Sequence, residues 1–301
     1  MEFKLIKNEV LHNTNRANKI RFIEIEVNKL EEVDEELAEK FIRDIVKFNC
    51  RLAFTKETWN DIKEIVYDKY EKAKIYQKGY LKNDGTMIPL IANYILEKIL
   101  NIELLSYSAN IEDIEIVPKG FDAIFLNKDY SIFLCEYKSS ISKLNEDGIA
   151  NLFINGYKSI FCKESSIISK INTIKTRIDN EDEENKNKIV ENLNQLVKAR
   201  RSLENLIQET YVEFNICAIT KSNTKVNVDN IVNSINKKFE ESTFCIDDKK
   251  KKCKKVNDCK KLDKIKVSNI IVIKIPDKFN IETFYENIIK KIEDQINGTI
   301  H

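Results

Sequence analysis

Residues 120–140 read GFDAIFLNKDYSIFLCEYKSS, two apolar runs in which Asp122 stands before the first and Glu136, Tyr137 and Lys138 close the second. Two carboxylates and an ammonium are groups that hydrolysis at a phosphate can use. Carboxylates brought together raise one another's pKa, and a divalent cation relieves the repulsion better than a lysine alone. Hard oxygen ligands with space for water suit Mg2+ or Mn2+. Such an ion lowers the pKa of a bound water and neutralises charge on a phosphate oxygen, while an adjacent lysine orients the water or stabilises the pentavalent phosphorus. The chemistry in view is phosphodiester hydrolysis, with Asp122, Glu136 and Lys138 as candidate catalytic residues.

Whether these groups meet depends on the hairpin that carries them. Side chains alternate faces along a strand, so Glu136 and Lys138 share a face whatever the turn does. A three-residue loop of Lys128, Asp129 and Tyr130 sets Asn127 opposite Ser131 and Asp122 opposite Glu136. A two-residue loop puts Asp122 opposite Cys135, on the wrong face. In the first register the two acidic Cβ atoms stand about 5 Å apart. A third acidic ligand is often wanted, and the apolar helix predicted before the hairpin offers Glu97 as its one acidic residue. Next to Lys98, Glu97 also reads as an ordinary surface residue.

An acidic residue two before a lysine is cheap in this composition; Glu2-Phe3-Lys4 and Asp61-Ile62-Lys63 have it too. Only Glu136-Tyr137-Lys138 closes a strand that is apolar on both faces and answers an aspartate on the preceding apolar strand. Strands buried on both faces rarely carry three charges at one end unless the charges are used. The competing reading is a strand end reaching water.

The rest of the chain narrows the classes. With 42% hydrophobic residues in 301, there is enough apolar surface for a real core, and six glycines with three prolines favour long helices over a many-turned all-β fold. Charged residues reach 33% but balance to +1, so a nucleic-acid partner must be met by a local patch. The dense run Lys249, Lys250, Lys251, Lys252, Lys254 and Lys255 is such a patch: a loop expected to be exposed, either merely solvated or facing a phosphate backbone. Having only His12 and His301 argues against a Ser/His or Cys/His nucleophile. Seven cysteines without regular spacing argue against a disulfide framework and for a reducing compartment, and Cys253 with Cys259 lacks the second pair a zinc site needs. No signal-like start and no span of about 18 apolar residues is present, so a cytoplasmic protein without membrane contact or small-molecule cofactor is expected.

Along the chain, FKLI and IRFIEIEV read as short strands, and residues 34–75 and 86–101 carry helical spacing. Strand signals follow in SYSANIEDIEIV, GFDAIFL and SIFLCEY, then a helix at about 142–161. A polar stretch at 163–210 has the pattern of an αα-hairpin, with Asp179 to Glu184 as its turn. The strand EFNICAIT, a helix near 227–241, the lysine loop at about 247–266, the strand VSNIIVIKIP and the helix IETFYENIIKKIEDQI complete the order. The fold class expected is α/β (α+β), a mixed sheet flanked by helices with an inserted helical hairpin. A mixed, partly helical region at 1–85 would pack on a domain at 86–301.

Asp122, an apolar strand, then Glu136-Tyr137-Lys138, with a helix ahead and a helix behind, resembles the PD-(D/E)xK nuclease superfamily. The motif's proline is replaced by Phe121 beside the aspartate. The resemblance implies a restriction-endonuclease-like α-β-β-β-α-β core and Mg2+-dependent attack of water on nucleic acid, with Asp122, Glu136 and the backbone carbonyl of Tyr137 as metal ligands. More narrowly, GFDAIFL, LCEYKSS, EFNICAIT, IIVIKIP and FYENIIKKIEDQI in order resemble the HamA family, nuclease-like subunits of the Hachiman phage-defence system. HamA-like proteins tend to carry a glutamate near the start of the first helix, where this chain reads MIPLIANY, leaving Glu97 further along as the stand-in. The family implies a DNA-cleaving effector restrained by a HamB-like helicase; exposure and charge make the inserted hairpin the place to look for partner contacts. The rivals are a restriction or repair nuclease of the same superfamily acting alone, and a nuclease-like module that binds DNA or protein without cutting.

Overall fold

Strands buried on both faces need apolar residues at every position, and helices that cover them need an apolar stripe; the chain supplies both in alternation. The computed structural model describes residues 2–11, 20–29, 36–40, 60, 63–64, 67, 87–107, 122–128, 131–140, 144–162, 184, 187–191, 194, 212–241, 243–245, 253–255, 267–276 and 281–298. In order these form β1 (Glu2–Leu11), β2 (Ile20–Lys29), α1 (Met87–Leu100), β3 (Glu103–Tyr107), β4 (Ala123–Leu126), β5 (Ile132–Ser139) and α2 (Glu146–Cys162). Then come β6 (Val212–Lys221), α3 (Val228–Glu241), β7 (Thr243–Cys245), β8 (Cys253–Lys255), β9 (Val267–Ile275) and α4 (Ile281–Gly298).

Seven strands make one mixed sheet in the order β1-β2-β9-β6-β5-β4-β3. The inner strands β5, β6, β9 and β2 are parallel, while β4 and β3 continue one edge antiparallel and β1 the other. One face carries Phe125, Phe133, Cys135, Tyr137, Cys217, Ile271 and Ile273, packed with α1 residues such as Leu90 and Ile95 and α4 residues such as Ile288 and Ile292. The opposite face carries Ile124, Leu134, Glu136, Ile216 and Ala218 by strand alternation. There α2 approaches so closely that a Cβ on Gly156 would lie 2.8 Å from Ile216 Cγ2. Glycine at that position lets the helix backbone rest on β6.

Local signals set the helix ends. Asn145 Oδ1 accepts from Gly148 N at 2.9 Å and caps α2, whose first turn holds Glu146 and Asp147; Asn227 Oδ1 accepts from Asn230 N at 3.1 Å and caps α3. The chain leaves α1 through Asn101, in the left-handed region at φ 55°, a conformation asparagine tolerates better than most residues.

Three expectations change. The N-terminal strands are ten residues each rather than short, and β2 pairs in parallel with β9, so this part of residues 1–85 extends the sheet instead of only packing on it. The physical reason is that the outer edge of β9 has backbone groups to satisfy. Within the lysine loop, Cys253–Lys255 is a strand paired with Thr243–Cys245. In the insertion, Glu184, placed in a turn by sequence, is helical; 179–183 lie outside the described residues. No helix among the described residues is long and apolar enough to cross a membrane.

Candidate active site

The β4–β5 hairpin has the register that brings the acidic groups to one face. Ala123 pairs with Cys135 and Leu126 with Ile132, and Asn127 N donates to Ser131 O at 2.9 Å, leaving 128–130 as the connection. Carried one pair beyond Ala123, the same register sets Asp122 opposite Glu136. Asp122, half-buried at a bend ahead of β4, turns its carboxylate toward β5, where Oδ2 accepts from Tyr137 N at 2.8 Å. It thus caps a backbone donor that β4 starts too late to pair. A residue's N–H and C=O project to the same neighbour in an antiparallel pair, so the Tyr137 carbonyl is on the Asp122 side as well.

Glu136 is wholly buried, and its Oε1 accepts from Lys138 Nζ at 2.6 Å. Lys138 is 25% exposed, so this pair opens to solvent at one end. Burying a carboxylate costs several kcal/mol unless it is paired, which is why the ammonium two residues on is drawn back over the strand. The opposite side of β5 is locked. Tyr137 Oη donates to Asn93 Oδ1 of α1, and burial pushes the Tyr137 phenol and the Cys135 thiol well above their usual pKa ranges. For Cys135 the hydrogen-bonded Cys217 thiol adds to this, and the charges of Asp122 and Glu136 contribute in the same direction. Both thiols are free.

Glu97 is not brought to this site. Its Oε1 accepts from Leu104 N at 2.8 Å and its Oε2 lies 2.6 Å from Lys40 Nζ, tying the end of α1 to β3. Helix α1 packs on the face opposite Glu136, so the helix that carries Glu97 is separated from the glutamate by the sheet. Among the described residues, no group of three or more Asp, Glu, His or Cys side chains is gathered as for a metal. Lys249, Lys250, Lys251 and Lys252 lie outside the described residues, and Lys254 and Lys255 fall in β8.

The structure adds residues that the sequence reading passed over. Glu24 of β2 pairs with Lys274 of β9 at 2.6 Å; both are buried, and Glu24 Oε2 has no hydrogen-bond partner among the described residues. Glu24 occupies the same cross-strand row as Lys138, through Val272 and Ala218, three strands or about 14 Å away. The signal was available: a lone lysine in IIVIKIP and a glutamate in IRFIEIEV interrupt apolar strands as Glu136 does. Above the face, Asp147 of α2 bonds Ser234 and Lys238 of α3, each at 3.0 Å, and these contacts hold its carboxyl below the usual range. Compared with known protein families, curated proteins and solved structures, the chain matches none.

Proposed function

We propose that the chain is a metal-dependent nuclease whose site is Asp122, Glu136, Lys138 and the Tyr137 carbonyl. The observation that carries this reading is the hairpin register, which sets Asp122 against Glu136 with Lys138 on the same face and open to solvent. The order α1-β3-β4-β5-α2-β6, with β6 parallel beside β5, supports a PD-(D/E)xK core. The donor set fits Mg2+ or Mn2+ in kind: two carboxylates and a carbonyl are hard oxygens, and an ion keeping several waters needs no further side chain. When bound, the cation supplies water activation and charge neutralisation at the phosphate.

The chain's own groups divide the remaining work. Asp122 is oriented by Tyr137 N–H, which fixes one of its carboxylate oxygens beside β5. Glu136, fixed by burial, cannot swing away as charge develops. Lys138, half-open beside it, holds a proton donor where a phosphate oxygen or attacking water would arrive. Following the HamA resemblance, we extend the proposal to DNA as substrate and to an anti-phage effector restrained by a helicase partner.

The test is cleavage of supercoiled plasmid and of single-stranded DNA and RNA by the full chain with Mg2+ or Mn2+. Cleavage is expected with either ion and not in chelator. Because removing one partner leaves a buried charge, the double variant Glu136→Gln/Lys138→Met separates lost chemistry from lost stability. If that variant still cuts, these residues are not catalytic. A second reading has its own observation, the 2.6 Å Glu136–Lys138 pair without a third acid: a non-cutting module whose charges only pin the strand end. It is favoured if no substrate is cleaved with Mn2+, with or without a HamB-like helicase.

A further inference from the structure

A cleft of about 350 Å3 opens at the other end of the sheet, on the α1 face and at the amino ends of the parallel strands. Its volume is that of a small-molecule site. The floor is apolar, from Ile23 and Phe133, and buried polar groups stand in it: Ser131 is 5% exposed and Asn269 3%. Asn269 Nδ2 donates to Asn215 Oδ1, and Asn215 in turn donates to the Leu134 carbonyl at 3.1 Å, so this wall is held rigid by a chain of amides across β9, β6 and β5. Asn127 Nδ2 is likewise fixed on Ser131 Oγ at 2.8 Å.

The rim carries two cations and, among the described residues, no carboxylate. In a chain of 50 basic and 49 acidic residues that is a selective arrangement. Arg21 begins the β2 side and Lys128 sits on the hairpin connection after β4; both are exposed, and neither makes an ion pair or side-chain hydrogen bond among the described residues. Strand order places β2 and β4 four steps apart, about 19 Å between backbones. Both cations stand at the rim with the apolar floor between them, so a ligand with an oxyanion at each end and a body resting on Phe133 and Ile23 fills the cleft and meets each cation, whereas a lone small anion leaves the floor uncovered.

We propose that this cleft binds a small molecule bearing two separated oxyanion groups, phosphate or carboxylate, gripped by Arg21 at one end and Lys128 at the other, with the Asn127, Ser131 and Asn269 wall reading its polar middle. Arginine's planar fork favours a bidentate oxyanion, and lysine acts as a point charge at the second. The site lies away from Asp122 and Glu136 and stands or falls independently of the nuclease reading.

The experiment is calorimetric titration and thermal melting of the full chain carrying Glu136→Gln, so that no probe is consumed, with three probes: the 5′-phosphorylated dinucleotide pApA, adipate and inorganic phosphate. Saturable, salt-sensitive binding of pApA or adipate with a rise in melting midpoint is expected, and which of the two binds identifies phosphate or carboxylate as the end group. Arg21→Gln and Lys128→Gln, both at exposed positions, should each weaken binding about ten-fold and together more than fifty-fold, as expected when one and then both charge-assisted bonds are lost. The proposal is overturned if neither two-ended probe binds, if inorganic phosphate binds as tightly as they do, or if the double variant binds unchanged.

Discussion

Two buried carboxylate–lysine pairs lie on one face of the same sheet, and they are built differently. Glu136 and Lys138 are neighbours on a single strand, the lysine reaches water, and Asp122 is across the hairpin. Glu24 and Lys274 come from different strands, both ends are closed, and one Glu24 oxygen is left unpartnered among the described residues. The first arrangement keeps a route to solvent through its lysine. The second can only be broken. Burial of a charge pair by itself therefore says little about function; access to one partner does.

The largest effect should come from breaking the closed pair. Lys274→Met leaves Glu24 charged and alone in the interior, which should cost about 3–5 kcal/mol and lower the melting midpoint by roughly 10 °C. Adding Glu24→Leu to that variant should recover most of the loss, and the nuclease activity proposed for the chain should be retained by the folded protein in both. Failure of the second change to rescue would mean that the pair is not closed in the way described.

Asp122→Asn should do the reverse. The amide oxygen can still accept from Tyr137 N–H, so the melting curve should stay close to that of the parent, while the proposed metal-dependent cleavage should fall at least about 10²-fold because the charge of a proposed ligand is gone. Equal losses of stability and activity would erase the contrast between the two regions. Tyr137→Phe sits between these extremes. It strands Asn93 Oδ1 in the core and should cost about 1–3 kcal/mol, with little change in cleavage per folded molecule.

The smallest effect belongs to the exposed tie between α2 and α3. Asp147's carboxyl is held below its usual range, so its contribution is present above the unfolded pKa and is lost as pH falls through the lower folded one. Melting midpoints of the parent and of Asp147→Asn should differ slightly at pH 7 and converge on acidification toward pH 3. A gap that widens in acid would reverse the sign assigned to that contact.

Legibility followed the same division. GFDAIFL and SIFLCEY announced a hairpin, and Glu136 and Lys138 had to share a face; whether Asp122 joined them hung on a two- or three-residue loop, which the pairing of Leu126 with Ile132 decided. Glu97 was misplaced because helical spacing says that a residue is on a helix but not which sheet face the helix covers. Glu24 and Lys274 each interrupt an apolar strand, but neither strand says what its charge faces. They become a pair only when β2, far away in sequence, lies down beside β9.

Local order in this chain is set by residue periodicity and capping: which segments are strands, where α2 begins at Asn145, and that Glu136 and Lys138 share a side. Those properties depend on neighbours within a few positions. Strand order, the face given to α1, the distance between Arg21 and Lys128, and the burial of Glu24 were decided only by the tertiary structure, since each requires two segments with no sequence proximity to compete successfully for the same edge or surface.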